Sequence, residues 1–333
     1  MSKELRKKAC RKFCVFSGEE LFMSIQNPLI SRALSACAPD PFWQHPAMKK
    51  AGVIANPKRP HAADIFERLA RKAKALGIEL FADEQTATYL PSATVIDFDQ
   101  FAKTVDVLFS LGGDGTVLFC AKLLNGADVP ILGINLGSLG FLTGVGEDQL
   151  ESALDALAAG KCKRDVRTVA NCTVLRGGKL AGPYRVLNDA VVGFGGSSHI
   201  VTLELSVDGE PITTFACDGM VVTTPTGSTG HFLASGGPII QPCTDVFGIS
   251  VFCPHTLSNR PIILPDRSAI EITIRHAHKK LLFSADGQDV EELGEGDAVR
   301  IARSDKPVTF LHLPGYSYFS VLSEKLHWRG SSY

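Results

Sequence analysis

The sequence predicts an α/β domain built on a parallel sheet, followed by a β-rich, mainly antiparallel domain. Three observations carry that prediction. From Ala51 to Gly160, apolar runs of strand length alternate with amphipathic runs of helix length, as parallel strands joined by crossover helices require. After Gly160 the helical periodicity gives way to short β-rich runs separated by Gly, Asp and Pro. The 333 residues, 45% of them hydrophobic, suffice for two cores of ordinary size.

Taken in order, AGVIAN (51–56) reads as a buried first strand, and ADIFERLARKAKALG (63–77) as an amphipathic helix stopped by Gly77. IELFAD (78–83) is a second strand and VDVLFSLG (105–112) a third. GTVLFCAKLLNG (115–126) is a helix closed by Asn125-Gly126, VPILGINLG (129–137) a fourth strand, and EDQLESALDALAAG (147–160) a helix ending at Gly160. The β-rich runs begin with RTVANCTVL (167–175) and end with AVRIAR (298–303); among them only STGHFLASGG (228–237) looks helical, with a start near Ser228. The chain closes with a strand and a short helix in FLHLPGYSYFSVLSEKLHW (310–328). The expected organisation is a weakly ordered extension over 1–47, an α/β domain over 48–146, a β-rich domain over 147–305, and a segment over 306–333 that packs back on the α/β domain.

The net charge of −1 excludes a global electrostatic pull toward nucleic acid or a membrane surface, so neither is an expected partner. Any anionic ligand must be met by local groups, helix N-termini or a metal ion. Nine cysteines lie scattered without metal-ligand spacing, apart from Cys10 and Cys14, which have no second pair. That usage fits reduced thiols and a cytoplasmic protein. The basic start MSKELRKKACRKF leads into an apolar run broken by Glu19, Glu20, Gln26 and Asn27, and LSAC (34–37) lacks the h-region of a cleavage signal. Met48 itself opens MKKAGVIANPK, which runs straight into the first strand.

The candidate chemistry begins in LFSLGGDGTVLFCAK (108–122), where Asp114 sits inside a glycine turn between a strand and a helix. Such a turn favours phosphate, through backbone N–H groups and the helix N-terminus. No G-x-x-x-x-G-K-[ST] loop occurs in the chain. Asp114 therefore either caps the helix, or takes a proton from an attacking hydroxyl or helps to hold Mg²⁺ beside bound phosphates. A second loop, DGMVVTTPTGSTGHFLASGGPI (218–239), carries Thr223, Thr224, Thr226, Ser228 and Thr229. These hydroxyls suit ribose or phosphate oxygens, or else close a local turn and capping box. In NLGSLGFLT (135–143), Gly137 and Gly140 present Phe141 and Leu142 as an apolar wall, for a flat base or for the core. In LNDAVV (187–192), Asn188 and Asp189 interrupt an apolar strand and need polar partners, from a ligand or from a neighbouring turn. His255 and Arg260 lie in a proline-bounded loop, where Arg260 would suit phosphate.

Together these segments resemble the NAD kinase family, in order, from about Met48 to Trp328. GGDGT alone also resembles turns of phosphofructokinases and diacylglycerol kinases, and that likeness implies their type of α/β domain. TPTGST with SGGPI, NLGSLGFLT, CPHTLS-RPI and the ending EKLHW are jointly specific to the family. The resemblance implies phosphoryl transfer from ATP to the 2′-hydroxyl of the adenosine ribose of NAD, giving NADP. It assigns Asp114 as the base, and Gly112, Gly113, Gly115 and Thr116 as the loop around the phosphoryl donor. Phe141 would border the adenine, and Asn188 with Asp189 would contact the adenosine part. Asp218, Thr226, Ser228, Thr229, Gly230 and His231 match the second dinucleotide loop. Mg²⁺ or another divalent cation is expected with ATP. A homo-oligomer, dimer or tetramer, is expected, with the NAD site completed across a subunit interface.

Two positions depart from the family pattern. Gly230-His231 replaces the common Ala-Tyr, which implies altered affinity rather than lost activity. Ser138 stands where many relatives carry a basic residue. Two other readings compete. A diacylglycerol-kinase-like lipid kinase would leave TPTGST and CPHTLS unexplained, and a non-catalytic NAD(P)-binding regulator would not need Asp114.

Overall fold

The computed structural model describes residues 48–56, 62–137, 140–193, 200–287 and 289–328. The extension expected over 1–47, with Cys10 and Cys14, lies outside the described residues, as does Ser138.

The chain opens with β1 (Lys50–Ala55), α1 (Ala62–Leu76) and β2 (Glu79–Ala82). The one-turn α2 (Glu84–Ala87), capped by the Asp83 carboxylate, leads to β3 (Thr94–Val95) and α3 (Phe98–Thr104). Then come β4 (Val107–Gly112), α4 (Asp114–Leu124), β5 (Ile131–Asn135), α5 (Leu150–Ala158) and β6 (Lys163–Arg167). The β-rich part follows as β7 (Ala170–Arg176), β8 (Lys179–Val186), β9 (Asp189–Gly193), β10 (Val201–Val207), β11 (Glu210–Cys217) and β12 (Gly219–Thr223). After the short α6 (His231–Ala234) come β13 (Val246–Phe252), β14 (Ile262–Pro265), β15 (Ile270–His276), β16 (Leu281–Ala285), β17 (Asp289–Leu293) and β18 (Ala298–Arg303). β19 (Val308–His312) and α7 (Tyr318–Lys325) close the described chain.

One sheet runs β3-β2-β1-β4-β5-β19-β6, and its pairs are parallel except for β6 against β19. Both faces of its central strands are buried, which explains why they read as unbroken apolar runs. Val53, Phe109 and Leu132 pack with Phe66 and Leu69 of α1 and Leu154 of α5. Their neighbours Ile54, Leu108 and Ile131 pack on the opposite face with Phe101 of α3 and Val117 and Leu124 of α4. On α1 the buried positions Ile65, Phe66, Leu69 and Ala73 fall on one face, and each such buried large side chain contributes about 1.5–3 kcal/mol. Arg68 of α1 fastens that face to α5 by a two-pronged pair with Glu151, at 2.7 and 2.6 Å.

The sequence pattern does not announce β6. KRDVR is charged and buries only its last residue, as an edge strand allows. The other two sheets, β11-β10-β15-β18-β7-β8 and β14-β13-β12-β9-β16-β17, are antiparallel. They share one core, with Val174, Leu203 and Ile272 from the first and Met220, Ile249 and Phe283 from the second.

Candidate active site

β4 is buried along its whole length and delivers the chain into the glycine turn at Gly112. A side chain on Gly112 would overlap that of Thr116, so the turn closes only with hydrogen there. Asp114 is the first residue of α4, and Gly113 stands at the N-cap position. Asp114 does not cap its own helix. Its Oδ2 accepts the Phe141 N–H at 2.9 Å and its Oδ1 accepts the Leu142 N–H at 2.9 Å. A Cβ on Gly140 would run into this carboxylate, which is why a glycine is needed at that close approach. The Gly140 N–H is held by Thr143 Oγ1 at 3.1 Å, and the Leu136 N–H by the Gly112 carbonyl at 3.1 Å. The loops after β4 and β5, neighbouring parallel strands, are thus locked together through Asp114, at the strand ends where α/β sheets bind ligands. The Phe141 ring is half-buried, with the Lys325 Nζ of α7 5.9 Å from its centroid.

The second loop is built differently. Thr223 Oγ1 donates to the Asn188 carbonyl at 3.1 Å, and the Thr224 N–H reaches the same oxygen at 2.9 Å. The Thr224 hydroxyl bonds the Leu187 carbonyl. Ser228 is fully buried; its hydroxyl donates to the Pro225 carbonyl at 2.8 Å and accepts the Ile240 N–H at 3.0 Å. Of the two readings open from the sequence, a ligand or a local turn, these three hydroxyls follow the second and hold the chain to itself. Thr229 is half-buried and His231 exposed. The single helix expected from Ser228 is split: a 3₁₀ turn over Thr226–Thr229 is interrupted at Gly230 (φ −100°, ψ −129°) before α6 begins. Gly227 lies so close to the Asn188 carbonyl that a Cβ would overlap it.

Asn188 and Asp189 come to this same place. The Asn188 Oδ1 is buried and has no hydrogen-bond partner among the described residues. Asp189 is buried, with its Oδ2 3.5 Å from the His231 Nδ1. Burial raises the Asp189 carboxyl above its ordinary value, and His231 opposes that rise. Asp218 does not join them. It precedes β12 while Thr224 follows it, and the six steps between them along the strand, at about 3.3 Å each, place the two about 20 Å apart. His255 and Arg260 make other contacts: the Arg260 guanidinium donates to the Asn259 carbonyl at 2.7 Å, and the His255 N–H to the Ala216 carbonyl at 2.8 Å.

Sequence reasoning missed two groups. Asp286, in a left-handed turn (φ 52°), accepts the N–H groups of Leu187, Asn188 and Asp189 at 2.8, 2.7 and 3.1 Å. Burial pushes its carboxyl up to about 6, although those N–H bonds act against the rise. Its signal was the Asp-Gly pair in SADG, a turn signature. The second group is a buried cluster under both loops. Arg167, 2% exposed, makes a two-pronged pair with Asp165 at 2.8 and 2.6 Å, and its Nη1 reaches Thr226 Oγ1 at 3.3 Å. His312 Nε2 lies 2.9 Å from Asp165 Oδ2, and the Tyr316 ring stacks on the His312 ring at 3.7 Å. Burial alone would raise the Asp165 carboxyl, but the His312 bond and the Arg167 charge hold it far below the carboxylate range. Burial lowers the His312 imidazole, with Asp165 opposing. Burial lifts the Tyr316 hydroxyl to about 12, and the nearby Asp114 charge adds to that. The alternation in RDVR, which puts Asp165 and Arg167 on one face, was the available sign.

Family models for the ATP-NAD kinase N-terminal and C-terminal domains match residues 51–162 and 187–313. The chain belongs to the NAD kinase family. It is therefore an enzyme, a phosphotransferase. The NAD kinase of Koribacter versatilis is 36% identical over 282 residues, spanning 84% of this chain and 99% of that protein. The NAD kinase of Thiobacillus denitrificans is 42% identical over 223 residues, 67% of this chain and 77% of that protein. Two solved structures share the NAD kinase fold. Yeast NADH kinase complexed with NADH superposes with a TM-score of 0.81 at 24% identity, covering 87% of this chain and 91% of that one. An NAD kinase from Archaeoglobus fulgidus in complex with ATP gives 0.68 at 23% identity, covering 84% and 100%. No helix among the described residues is long and apolar enough to cross a membrane.

Proposed function

We propose that the chain transfers the terminal phosphoryl group of ATP to the 2′-hydroxyl of the adenosine ribose of NAD, giving NADP, with Asp114 as the general base. One observation carries the reading: a carboxylate stands at the head of the phosphate-type loop and is aimed by two N–H groups of the neighbouring loop. Those bonds occupy one lone pair on each oxygen and leave the others for a hydroxyl proton. As the 2′-oxygen bonds to the terminal phosphorus, Asp114 takes its proton, and the bond from that phosphorus to the bridging oxygen breaks to release ADP.

In this reading Gly112, Gly113, Gly115 and Thr116 shape the donor loop, Phe141 borders the adenine, and Asn188 and Asp189 contact the adenosine. Thr226, Thr229, Gly230 and His231 wall the dinucleotide, and Ser228 shapes that wall from within. Residues 48–146 take the donor, 147–305 take NAD, and 306–333 pack back on the first. Asp218 reaches a NAD molecule from another subunit of a dimer or tetramer, a reading supported by its place at the far end of β12. The cytoplasm is the proposed compartment, a reading supported by buried cysteines such as Cys120, Cys162 and Cys172, which serve as small core residues.

A Mg²⁺ ion carried by the ATP phosphates suits the residues present. Among the described residues no group of three or more His, Cys, Asp or Glu could hold a metal, while Asp114 faces the loop with lone pairs to share. When bound, the ion neutralises charge on the transferred group.

The test is the purified chain with NAD, ATP and Mg²⁺, read by an NADP-specific dehydrogenase. NADP is expected to accumulate. A chain that binds NAD yet forms no NADP with ATP would contradict the proposal.

A further inference from the structure

Beside the glycine loop lies a cleft of about 500 Å³, lined by Gly112, Gly113, Gly115 and Thr116 of the loop together with Phe98 and Phe119. A Cβ added to Gly113 or Gly115 would meet no atom within 4 Å, so the outer face of the loop is open. On α4, Thr116 and Phe119 are three residues apart and share a face, and Phe119 lies about 6 Å along the helix from Gly115. Phe119 is 38% exposed and Phe98, at the start of α3, is 47% exposed. Their rings meet edge to face at 5.6 Å and 74°.

Large rings usually go inside. Here two are left half in water, lining the same cleft as a phosphate-type loop. We propose that Phe98 and Phe119 form the platform on which the base of the phosphoryl donor stacks, while its phosphates lie against the glycine loop. This rests on the donor-site reading above and adds how the donor is selected. A phenyl ring carries no hydrogen-bonding group, and every base has a π-face, so such a platform holds the donor by the face of its base without reading the edge.

The test is equilibrium binding of ADP, GDP and NAD by calorimetry to the wild type, Phe119→Ala, Phe98→Ala and Phe119→Trp. Both positions are half exposed, so unchanged thermal unfolding serves as the folding control. Each alanine variant is expected to weaken ADP about tenfold and GDP by the same factor. Phe119→Trp should restore both, and NAD binding should not move. Unchanged ADP binding in both alanine variants, or an equal loss of NAD binding, would overturn the platform. Binding needs no turnover, so this failure is separate from failure of the proposed reaction, which the NADP assay reads.

Discussion

The two loops of the candidate site are both rich in glycine and hydroxyls, yet they are put together in opposite ways. In the loop after β4 the polar side chain, Asp114, is held by backbone N–H groups of another loop, and its two chain neighbours Gly113 and Gly115 face open space. In the loop after β12 the polar side chains do the holding. Thr223, Thr224 and Ser228 turn inward to backbone carbonyls, and the buried Arg167 reaches Thr226 from below. The first loop presents the carboxylate of the proposed base; the second is a wall tied to its own backbone. The contrast implies that damage to the first should appear in catalysis, and damage to the second in stability.

The largest expected effect tests the support beneath the wall. Arg167→Met leaves Asp165 and His312 without their buried cation, and loss of one partner of a buried pair costs about 3–5 kcal/mol. Denaturant unfolding should show it, and a loss below 1 kcal/mol would remove the cluster from the account.

Gly140→Ala is the matching change in the first loop. Its methyl displaces the carboxylate of the proposed base, Asp114, and misplacement of such a group by about 1 Å costs about 100-fold in rate. The melting temperature should move far less than for Arg167→Met. A variant that unfolds while keeping its rate per folded molecule would reverse the comparison.

Ser228→Ala removes one buried hydroxyl and should cost about 1 kcal/mol of stability. Its KM for NAD should change less than threefold. A large rise in KM with full stability would mean that this hydroxyl serves the ligand after all.

The smallest effects lie in the pH dependence, and two groups carry opposite signs. Burial holds the His312 imidazole below its ordinary value. On acidification the unfolded chain therefore takes up that proton first, and His312 lowers stability below about pH 6.5. Asp286, pushed up to about 6, takes its proton in the folded state before the unfolded chain does, and adds stability as pH falls from about 6 toward 4. His312→Gln should flatten the acid decline of the melting temperature, and Asp286→Asn should steepen it. Parallel profiles in the two variants would contradict both assignments.

What the sequence disclosed follows the same division. The strand-helix alternation and GGDGT are local patterns, and the parallel sheet with its loop at the end of β4 was readable from them. Asn188 and Asp189 stood out because they interrupt an apolar strand. The support was not readable, because its partners are remote in the chain: His312 meets Asp165 across 147 positions and Asp286 meets Leu187 across 99. β6 was hidden because its place beside β19 depends on a strand that arrives at the end of the chain. The direction of the second-loop hydroxyls was also out of reach, since Ser and Thr in a turn suit a ligand or a nearby carbonyl equally well.

The central claim is that Asp114 is the base. It is tested most directly by Asp114→Asn, which keeps the side-chain size and loses the proton acceptor, in the NADP assay alongside calorimetric NAD binding. The account predicts a fall in kcat of about 10²–10⁴-fold with NAD binding and melting temperature nearly unchanged. A variant that still makes NADP within tenfold of the wild-type rate would contradict it.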